Sequence, residues 1–184
     1  MKSLYKTEGT PKKARATFYK LAKKRIRYLT NEEFIKLDKA TGGYPEPEEI
    51  SPAFFGPFPG SHVEQVKLEK LVDILEIAIN KDAFKIKGKD YSDLIPFVAE
   101  HEIYEAWLKV KKGAGSKLKA RKKHILAQRR AFLLAEQRAL GDRLLEWSKL
   151  IAPDNTRYIK ECEYALKTAR KQLGHLIEKR VSGL

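Results

Sequence analysis

One short segment of this 184-residue chain carries side chains that could do chemistry, residues 100–105, EHEIYE in one-letter code. If the segment is helical, His101 and Glu105 stand four residues apart and project from one face, where together they could bind one divalent metal ion. The other positions of this helix are mostly apolar, so we expect it to lie centrally in the fold. A buried ionisable side chain has to be paired or bound to a metal. The segment therefore predicts either a metal site, for zinc or manganese, or a structural polar network.

The segment resembles the HExxH helix of zinc metallopeptidases at its first two positions. This resemblance implies that His101 is a metal ligand and that Glu102 is the catalytic residue that activates water. The segment departs from the family's pattern at the fifth position, where Glu105 replaces the second histidine. It is also similar, more loosely, to carboxylate–histidine sites in helical bundles. The resemblance covers five residues, and a further ligand has to come from another helix.

His124, on the next predicted helix, is the best candidate for that further ligand. Glu136 lies twelve residues further on and points in another direction, and Asp142 lies about 27 Å from His124 along a straight helix. An alternative assigns His124 to the basic surface, because it ends the run KARKKH. The isolated His62 and His175 are interpreted as surface or packing residues.

Two interpretations of residues 100–105 involve no metal. In the first, Glu102 or Glu105 forms a salt bridge with an arginine of the next helix, such as Arg129 or Arg130, as buried carboxylates in bundles commonly do. In the second, the segment is an exposed helix face. The sequence leaves these alternatives open beside the metal site.

The charge of the chain is high and unevenly distributed. Its net charge is +14 and its isoelectric point is near 9.7. Residues 1–27 hold ten lysines and arginines against one acid, and residues 109–130 hold ten against none, whereas residues 28–108 hold eight against sixteen. A block of one sign repels itself, so it favours an anionic partner. We therefore predict binding to nucleic acid, whose phosphates attract lysine and arginine in a salt-dependent way.

The predicted contacts to nucleic acid come from the two basic blocks. They are Lys12, Lys13, Arg15, Lys23, Lys24, Arg25, Lys111, Lys112, Lys117, Lys119, Arg121, Lys122 and Lys123. The glycines at 113 and 115 would let the backbone approach a phosphate closely. Alternatives are that the blocks solubilise the chain, pair with its acidic middle, or bind acidic membranes or proteins. RNP, KH, zinc-finger and P-loop signatures are absent, so the sequence does not distinguish DNA from RNA.

The periodicity of apolar residues predicts an all-α fold with five or six helices, the last three long and packed as an antiparallel bundle. The first helix begins near Pro11, and its apolar spacing continues to Leu29. Capping-box patterns at 30–33 and 61–64 predict two further helix starts, the second helix extending to Ala78. The long helices are predicted at 92–112, at 116–151 with Gly141 as a bend, and at 153–181.

The predicted division places a basic N-terminal helix or arm at 1–29 before a helical core domain at 30–184, with the three-helix bundle at 92–181. Residues 44–60, rich in proline and phenylalanine, are predicted to be an extended segment without regular structure. Residues 83–88 alternate apolar and basic side chains, which indicates a short strand. Residues 44–60 and the apolar seam of the last helix are candidate surfaces for a protein partner.

The sequence also excludes some classes of protein. The single cysteine, Cys162, cannot form an internal disulfide and is predicted to be a small buried side chain. The sequence contains no apolar stretch of membrane-spanning length and no signal-peptide pattern, so we expect a cytoplasmic protein. Three functions stay open: a nucleic-acid-binding protein of a nucleoprotein assembly, a metal-dependent nuclease or peptidase built on His101, Glu102 and Glu105, and a structural assembly subunit.

Overall fold

The computed structural model describes residues 11–40, 53–57, 75–112 and 120–181. This part of the chain is predominantly helical, so the predicted fold class is confirmed. Its six helices are α1 (Pro11–Lys23), α2 (Asn31–Ala40), α3 (Ile95–Lys112), α4 (Ala120–Glu136), α5 (Gly141–Ile151) and α6 (Thr156–Val181). Its strands are β1 (Ile26–Leu29), β2 (Ala53–Pro57), β3 (Leu75–Asn80), β4 (Lys85–Ile86) and β5 (Lys89–Asp90).

Helices α3 and α4 pack closely and run in opposite directions. Glu100, near the start of α3, pairs with Arg130 in the second half of α4, whereas Glu105 contacts His124 near the start of α4. As residue numbers rise along α3, the numbers of the contacting residues on α4 fall. The two helices are therefore antiparallel. The residues of the candidate site lie on these two antiparallel helices.

Helix α4 also packs along α6, and these two helices run in the same direction. Arg121 pairs with Glu161 at one end of the contact, and Arg170 pairs with Glu136 at the other. Helix α5 lies against both and runs in the opposite direction. Consecutive helices of the bundle are therefore antiparallel. The apolar seam predicted on α6 faces the bundle, where Cys162, Leu166 and Ala169 are buried and Leu176 is exposed.

The helix predicted at 116–151, with Gly141 as a bend, is two helices within the described residues, because the chain reverses at residues 137–140 and α5 begins at Gly141. Ala139 adopts a left-handed backbone conformation with φ of 58°. The Leu140 N–H donates to the Ala135 carbonyl at 2.9 Å, and the Ala139 N–H donates to the Glu136 carbonyl at 3.0 Å. These two bonds form a Schellman motif, which usually places glycine at the left-handed position. Because alanine occupies the position where glycine is usual, the sequence gives no signal that α4 ends here.

Three segments that were predicted as helix or as irregular chain form one sheet, in the order β1–β3–β2. Strand β1 pairs with β3 in parallel, Ile26 facing Ile77, and β2 pairs with β3 antiparallel, Phe55 facing the same residue. The prediction that helix α1 continues to Leu29 is therefore wrong, and so are the predicted helix over 75–78 and the lack of regular structure over 53–57. Residues 61–74, the rest of that helix, lie outside the described residues.

Several local sequence signals are confirmed. The Thr30 N–H donates to the Glu33 carboxylate at 2.8 Å and the Glu33 N–H donates to the Thr30 hydroxyl at 3.3 Å, which is the predicted capping box. Helix α6 starts at the predicted cap, where the Asn155 side chain accepts the Tyr158 N–H at 3.0 Å. The strand predicted at 83–88 is confirmed only for Lys85–Ile86, which form β4 and pair antiparallel with β5.

Aromatic side chains dominate the core between the helices and the sheet. The rings of Phe84 and Trp147 stack with centroids 4.7 Å apart, and the Trp147 indole N–H donates to the Ala83 carbonyl at 2.9 Å. Phe18 of α1 is fully buried and lies 5.4 Å from the ring of Trp107 on α3. Helix α1 thus packs into the same core as the bundle. None of the described helices combines the length and the apolar composition needed to cross a membrane.

The turn between α4 and α5 gives a stability prediction. Replacing Ala139 by glycine removes the steric cost of the left-handed conformation, so we expect the free energy of unfolding to rise by about 0.5–1 kcal/mol. Chemical denaturation followed by circular dichroism measures the change. The matched control, Ala16→Gly at an exposed position of α1, should lower the same quantity by about 1 kcal/mol. Equal destabilisation by both variants would contradict the role assigned to the turn.

Candidate metal centre

Helices α3 and α4 bring together the three side chains that the sequence singled out as metal ligands. His101 and Glu105 lie one turn apart on α3, and His124 faces them from α4. One ligand atom from each of these residues lies within 4.8 Å of the other two, so the group could hold a metal ion. Within the part of the chain that the structure describes, no other group of three histidine, cysteine, aspartate or glutamate side chains has its ligand atoms this close together.

The spacing of the three ligand atoms fits one face of a tetrahedron. His101 Nε2 lies 3.2 Å from His124 Nδ1 and 3.5 Å from Glu105 Oε2, and the third edge, from His124 Nδ1 to Glu105 Oε2, measures 3.3 Å. Zinc bonds of about 2.0–2.1 Å place neighbouring tetrahedral ligand atoms about 3.3–3.4 Å apart. An octahedral ion with bonds of the same length needs about 2.9 Å. The three measured distances, 3.2, 3.3 and 3.5 Å, are closer to the tetrahedral spacing than to the octahedral one.

When Glu105 is ionised, protons on the two rings cannot satisfy all three contacts among His101, His124 and Glu105 equally well. An ionised Glu105 only accepts hydrogen bonds, so it can bond both rings only if both facing nitrogens carry protons. Two N–H groups then oppose each other along the 3.2 Å edge between His101 and His124. If only one ring is protonated at these positions, two lone pairs oppose each other along the edge from the unprotonated nitrogen to Glu105. A cation at the centre gives all three atoms a shared partner.

The environment keeps His101 in the form that binds metals. Burial lowers the pKa of His101 below its ordinary value of 6.5, the hydrogen bond with Glu105 raises it, and the charge of His124 lowers it further. Burial is the largest of these effects, so the imidazole is neutral near pH 7. Its side chain is 9% exposed and that of Glu105 12%, whereas that of His124 is 37% exposed. The triangle therefore opens to solvent on the His124 side.

The arginines predicted to neutralise Glu102 or Glu105 have other neighbours. Arg130 pairs with Glu100, its Nε lying 2.5 Å from the carboxylate. The guanidinium of Arg129 lies 4.9 Å from the ring centroid of Tyr164 on α6. Glu105 instead contacts the two histidines. Glu102 is partly exposed on α3 and lies outside the group of three ligands.

The other candidate acids and histidines lie away from the triangle. Arg170 pairs with both Glu136, at 3.0 Å, and Asp142, at 2.5 Å, near the turn between α4 and α5. His175 is exposed on α6, as predicted, and His62 lies outside the described residues.

Cys162 is buried, as predicted, between α4 and α6. Its sulfur accepts a hydrogen bond from the Gln128 amide at 2.9 Å. Burial raises the pKa of the thiol to about 11, so the thiolate form is scarce at neutral pH. The residue is therefore a packing element.

The residues predicted to bind nucleic acid fall into groups with different surroundings. Lys23, Lys24, Arg25, Arg121 and Lys122 are exposed, and Arg121 pairs with Glu161 at 2.7 Å. Lys123 is buried beside His124, with 7% of its surface exposed. Lys12, Lys13, Lys111 and Lys112 lie in helices α1 and α3, with side chains outside the described set, and Lys117 and Lys119 lie outside the described residues.

Arg15, from the same predicted set, belongs to a cluster that the sequence did not indicate. Its guanidinium carbon lies 5.2 Å from the ring centroids of both Tyr19 and Tyr104. Arg130 lies 5.7 Å and 5.2 Å from the same two rings. Two features of the sequence could have indicated this cluster: Arg15 and Tyr19 are four residues apart on one helix, and Tyr104 directly precedes Glu105. Neither signal indicates that Arg130 of α4 joins them.

The lowered pKa of His101 gives a pH prediction for the metal-free protein. Below pH 6.5 the unfolded chain takes up a proton at His101 that the folded chain binds only at lower pH. The free energy of unfolding, measured in chelator, should therefore be highest above pH 6.5 and fall as the pH drops through that value, by at most about 1.4 kcal/mol per pH unit. His101→Gln should flatten this dependence, and His175→Gln should keep it. Identical slopes in denaturation experiments on both variants would show that His101 does not titrate as described.

The candidate metal centre thus consists of two histidines and one glutamate on two antiparallel helices. Comparison of the chain with protein-family models, with curated proteins and with solved structures finds no match.

Proposed function

We propose that this protein is a metal-dependent hydrolase whose ion is held by His101, Glu105 and His124. The observation that carries the proposal is the triangle of ligand atoms, with edges of 3.2, 3.3 and 3.5 Å. Two imidazoles and one carboxylate are a donor set that zinc favours in hydrolytic enzymes. Manganese accepts the same donors but prefers a wider coordination shell of oxygen ligands.

The number of ligands supports catalysis over a purely structural role. Structural zinc sites are closed by four protein ligands, whereas catalytic sites have three and keep a fourth position for water or substrate. The described residues supply three ligands here, and the partly exposed His124 leaves a side of the triangle reachable from solvent. A zinc ion held there would supply Lewis-acid activation of water or of a substrate oxygen.

The protein's own side chains would then divide the remaining tasks. His101, neutral because it is buried, would fix the ion at the helix interface, and Glu105 would balance part of its charge. Glu102, next to His101 on α3 and partly exposed, is proposed as the general base that takes a proton from water. This role rests on its position in the segment that resembles the metallopeptidase helix.

Nucleic-acid binding is the second candidate function, and the distribution of charge favours it. Arg121 and Lys122 are exposed at the start of α4, within one turn of His124. Lys23, Lys24 and Arg25 add a second exposed basic group at the end of α1. Substrate phosphates would be attracted to these side chains, so the two functions are compatible in a nuclease.

Metal content tests the first proposal. The natively purified protein should contain about one zinc ion per chain, measured by elemental analysis after nucleic acid has been removed in high salt. His101→Ala, Glu105→Gln and His124→Ala should each weaken metal affinity strongly, because each removes one of three ligands. Loaded with zinc, the wild-type protein should also unfold at a higher temperature than in chelator, since the ion binds only the folded chain.

Two controls separate ligands from neighbours. His175→Ala removes an exposed histidine from α6 and should keep the full metal content. Glu102→Gln should also keep it, while hydrolysis of the substrate falls by about 100-fold or more. A wild-type protein without stoichiometric metal, and with no change in its unfolding temperature on adding zinc, would refute the metal centre.

Salt-dependent binding tests the second proposal. Affinity for an oligonucleotide should fall as salt rises, and the triple variant Lys23→Gln, Lys24→Gln, Lys122→Gln should reduce the slope of log affinity against log salt by about two to three. The control triple variant Lys160→Gln, Lys167→Gln, Lys171→Gln removes the same charge from exposed positions of α6. Fluorescence anisotropy measures both. If the two variants have equal slopes, the assignment of the surface is wrong.

A further inference from the structure

Two arginines converge on two tyrosine rings next to the candidate metal centre. Arg15 of α1 and Arg130 of α4 approach the rings of Tyr19 and Tyr104 at 5.2–5.7 Å from their centroids. The four side chains therefore form one compact cluster where α1, α3 and α4 meet. A guanidinium that contacts an aromatic ring with its face keeps its edge N–H groups available as hydrogen-bond donors.

The cluster carries more positive than negative charge. Glu100 pairs with Arg130 at 2.5 Å, and its side chain is 10% exposed. Among the described residues, Arg15 contacts Tyr19 and Tyr104, and no carboxylate forms an ion pair with it. Two guanidiniums against one carboxylate leave one uncompensated positive charge in a partly buried place. The excess positive charge attracts an anion to the cluster.

The Tyr19 hydroxyl is a second independent sign of a missing partner. The hydroxyl oxygen is buried, and the groups nearest to it, the guanidiniums of Arg15 and Arg130, are donors only, so no described residue accepts its hydrogen. Burial, with a smaller contribution from Glu100, raises the pKa of Tyr19, so the phenol stays protonated and keeps its donor hydrogen. Buried donors are rarely left without an acceptor. The hydroxyl, the Arg15 guanidinium and the Arg130 guanidinium are thus three donors in one cluster.

The cluster lies beside the ligand triangle along α3. Glu100 directly precedes His101, and Tyr104 directly precedes Glu105, so both groups occupy the same two turns of the helix. Arg130 and His124 both face α3 from α4. A substrate bound at the triangle could therefore extend a neighbouring group into the cluster.

We propose that Arg15, Tyr19 and Arg130 form a binding site for a phosphate group, and that this site positions a phosphate-bearing substrate beside the metal centre. The role in positioning substrate rests on the proposed hydrolase function, whereas phosphate binding itself does not. Forked guanidinium donors together with a hydroxyl donor match the several oxygens of a tetrahedral phosphate. The basic residues 109–130, ten lysines and arginines without an acid, add long-range attraction for the same ligand class.

Titration calorimetry on the full chain tests this site with two probes, inorganic phosphate and an oligothymidylate. In chelator, Arg15→Gln should weaken phosphate binding by about tenfold or more, since a charge-assisted hydrogen bond is lost. Tyr19→Phe keeps the ring and its contacts with both arginines, and should weaken binding about threefold. Lys20→Gln is the matched control, because it removes the same charge from a neighbouring exposed position of α1, and it should change the affinity less than twofold. The same ranking with oligothymidylate would identify phosphodiesters as the ligand, and the ranking with inorganic phosphate alone would identify a free phosphate or monoester.

The outcomes separate this proposal from that of the metal centre. If His101→Ala loses metal affinity while phosphate binding stays sensitive to Arg15, the site is independent of the ion. If the protein binds no metal yet shows the expected ranking, the hydrolase proposal fails and the phosphate site stands. Equal affinities for Arg15→Gln, Tyr19→Phe and Lys20→Gln would overturn the phosphate site. So would phosphate binding that requires the metal and is unchanged in Arg15→Gln.

Discussion

A buried ion pair and two histidines lie in one interface, between α3 and α4, and the register of these two helices is the constraint on which the candidate site depends. Glu100 and Arg130 meet at 2.5 Å at one level of the interface, and His124 reaches Glu105 at another. A slip of α4 by one residue would rotate each side chain by about 100° and leave a carboxylate buried without its partner. Removing one partner of a buried pair is strongly unfavourable, so the ion pair also holds His124 in place.

The surroundings of α4 differ on its two sides, and the polar groups proposed to bind ligands lie on one of them. Towards α6, Gln128 donates to the Cys162 sulfur and Arg121 pairs with Glu161. These contacts join donors with acceptors, whereas Arg129 Nε, beside Tyr164 of α6, has no hydrogen-bond partner among the described residues. Towards α3, the hydrogen bonds among His101, His124 and Glu105 depend on which ring nitrogens carry protons, and no described residue accepts the hydrogen of the Tyr19 hydroxyl. Both proposed ligands, a cation and a phosphate, therefore lie on the same side of α4.

Local signals predicted the helices well and the strands poorly, for a physical reason. A cap such as Thr30 with Glu33, or Asn155 before α6, forms its hydrogen bonds within a few residues, so its sequence is sufficient. Strand β1 forms its hydrogen bonds with β3, about fifty residues away. The spacing of Ile26 and Leu29 suits a helix face as well as a short strand, and only the distant partner decides between them.

In the candidate site, too, contacts within one helix could be predicted from the sequence, and contacts between helices could not. That His101 and Glu105 share a helix face could be predicted from their spacing, because helical geometry places residues four apart on one side. The sequence by itself determined the basic charge of residues 109–130. His124 was a predicted ligand, but its distances to His101 and Glu105 come from the packing of α3 against α4. The pairing of Arg130 with Glu100 and the contact of Arg15 with the two tyrosines also come from packing between helices. These contacts join residues of different helices, and their distances depend on the packing of side chains across an interface, which no spacing within a single helix specifies.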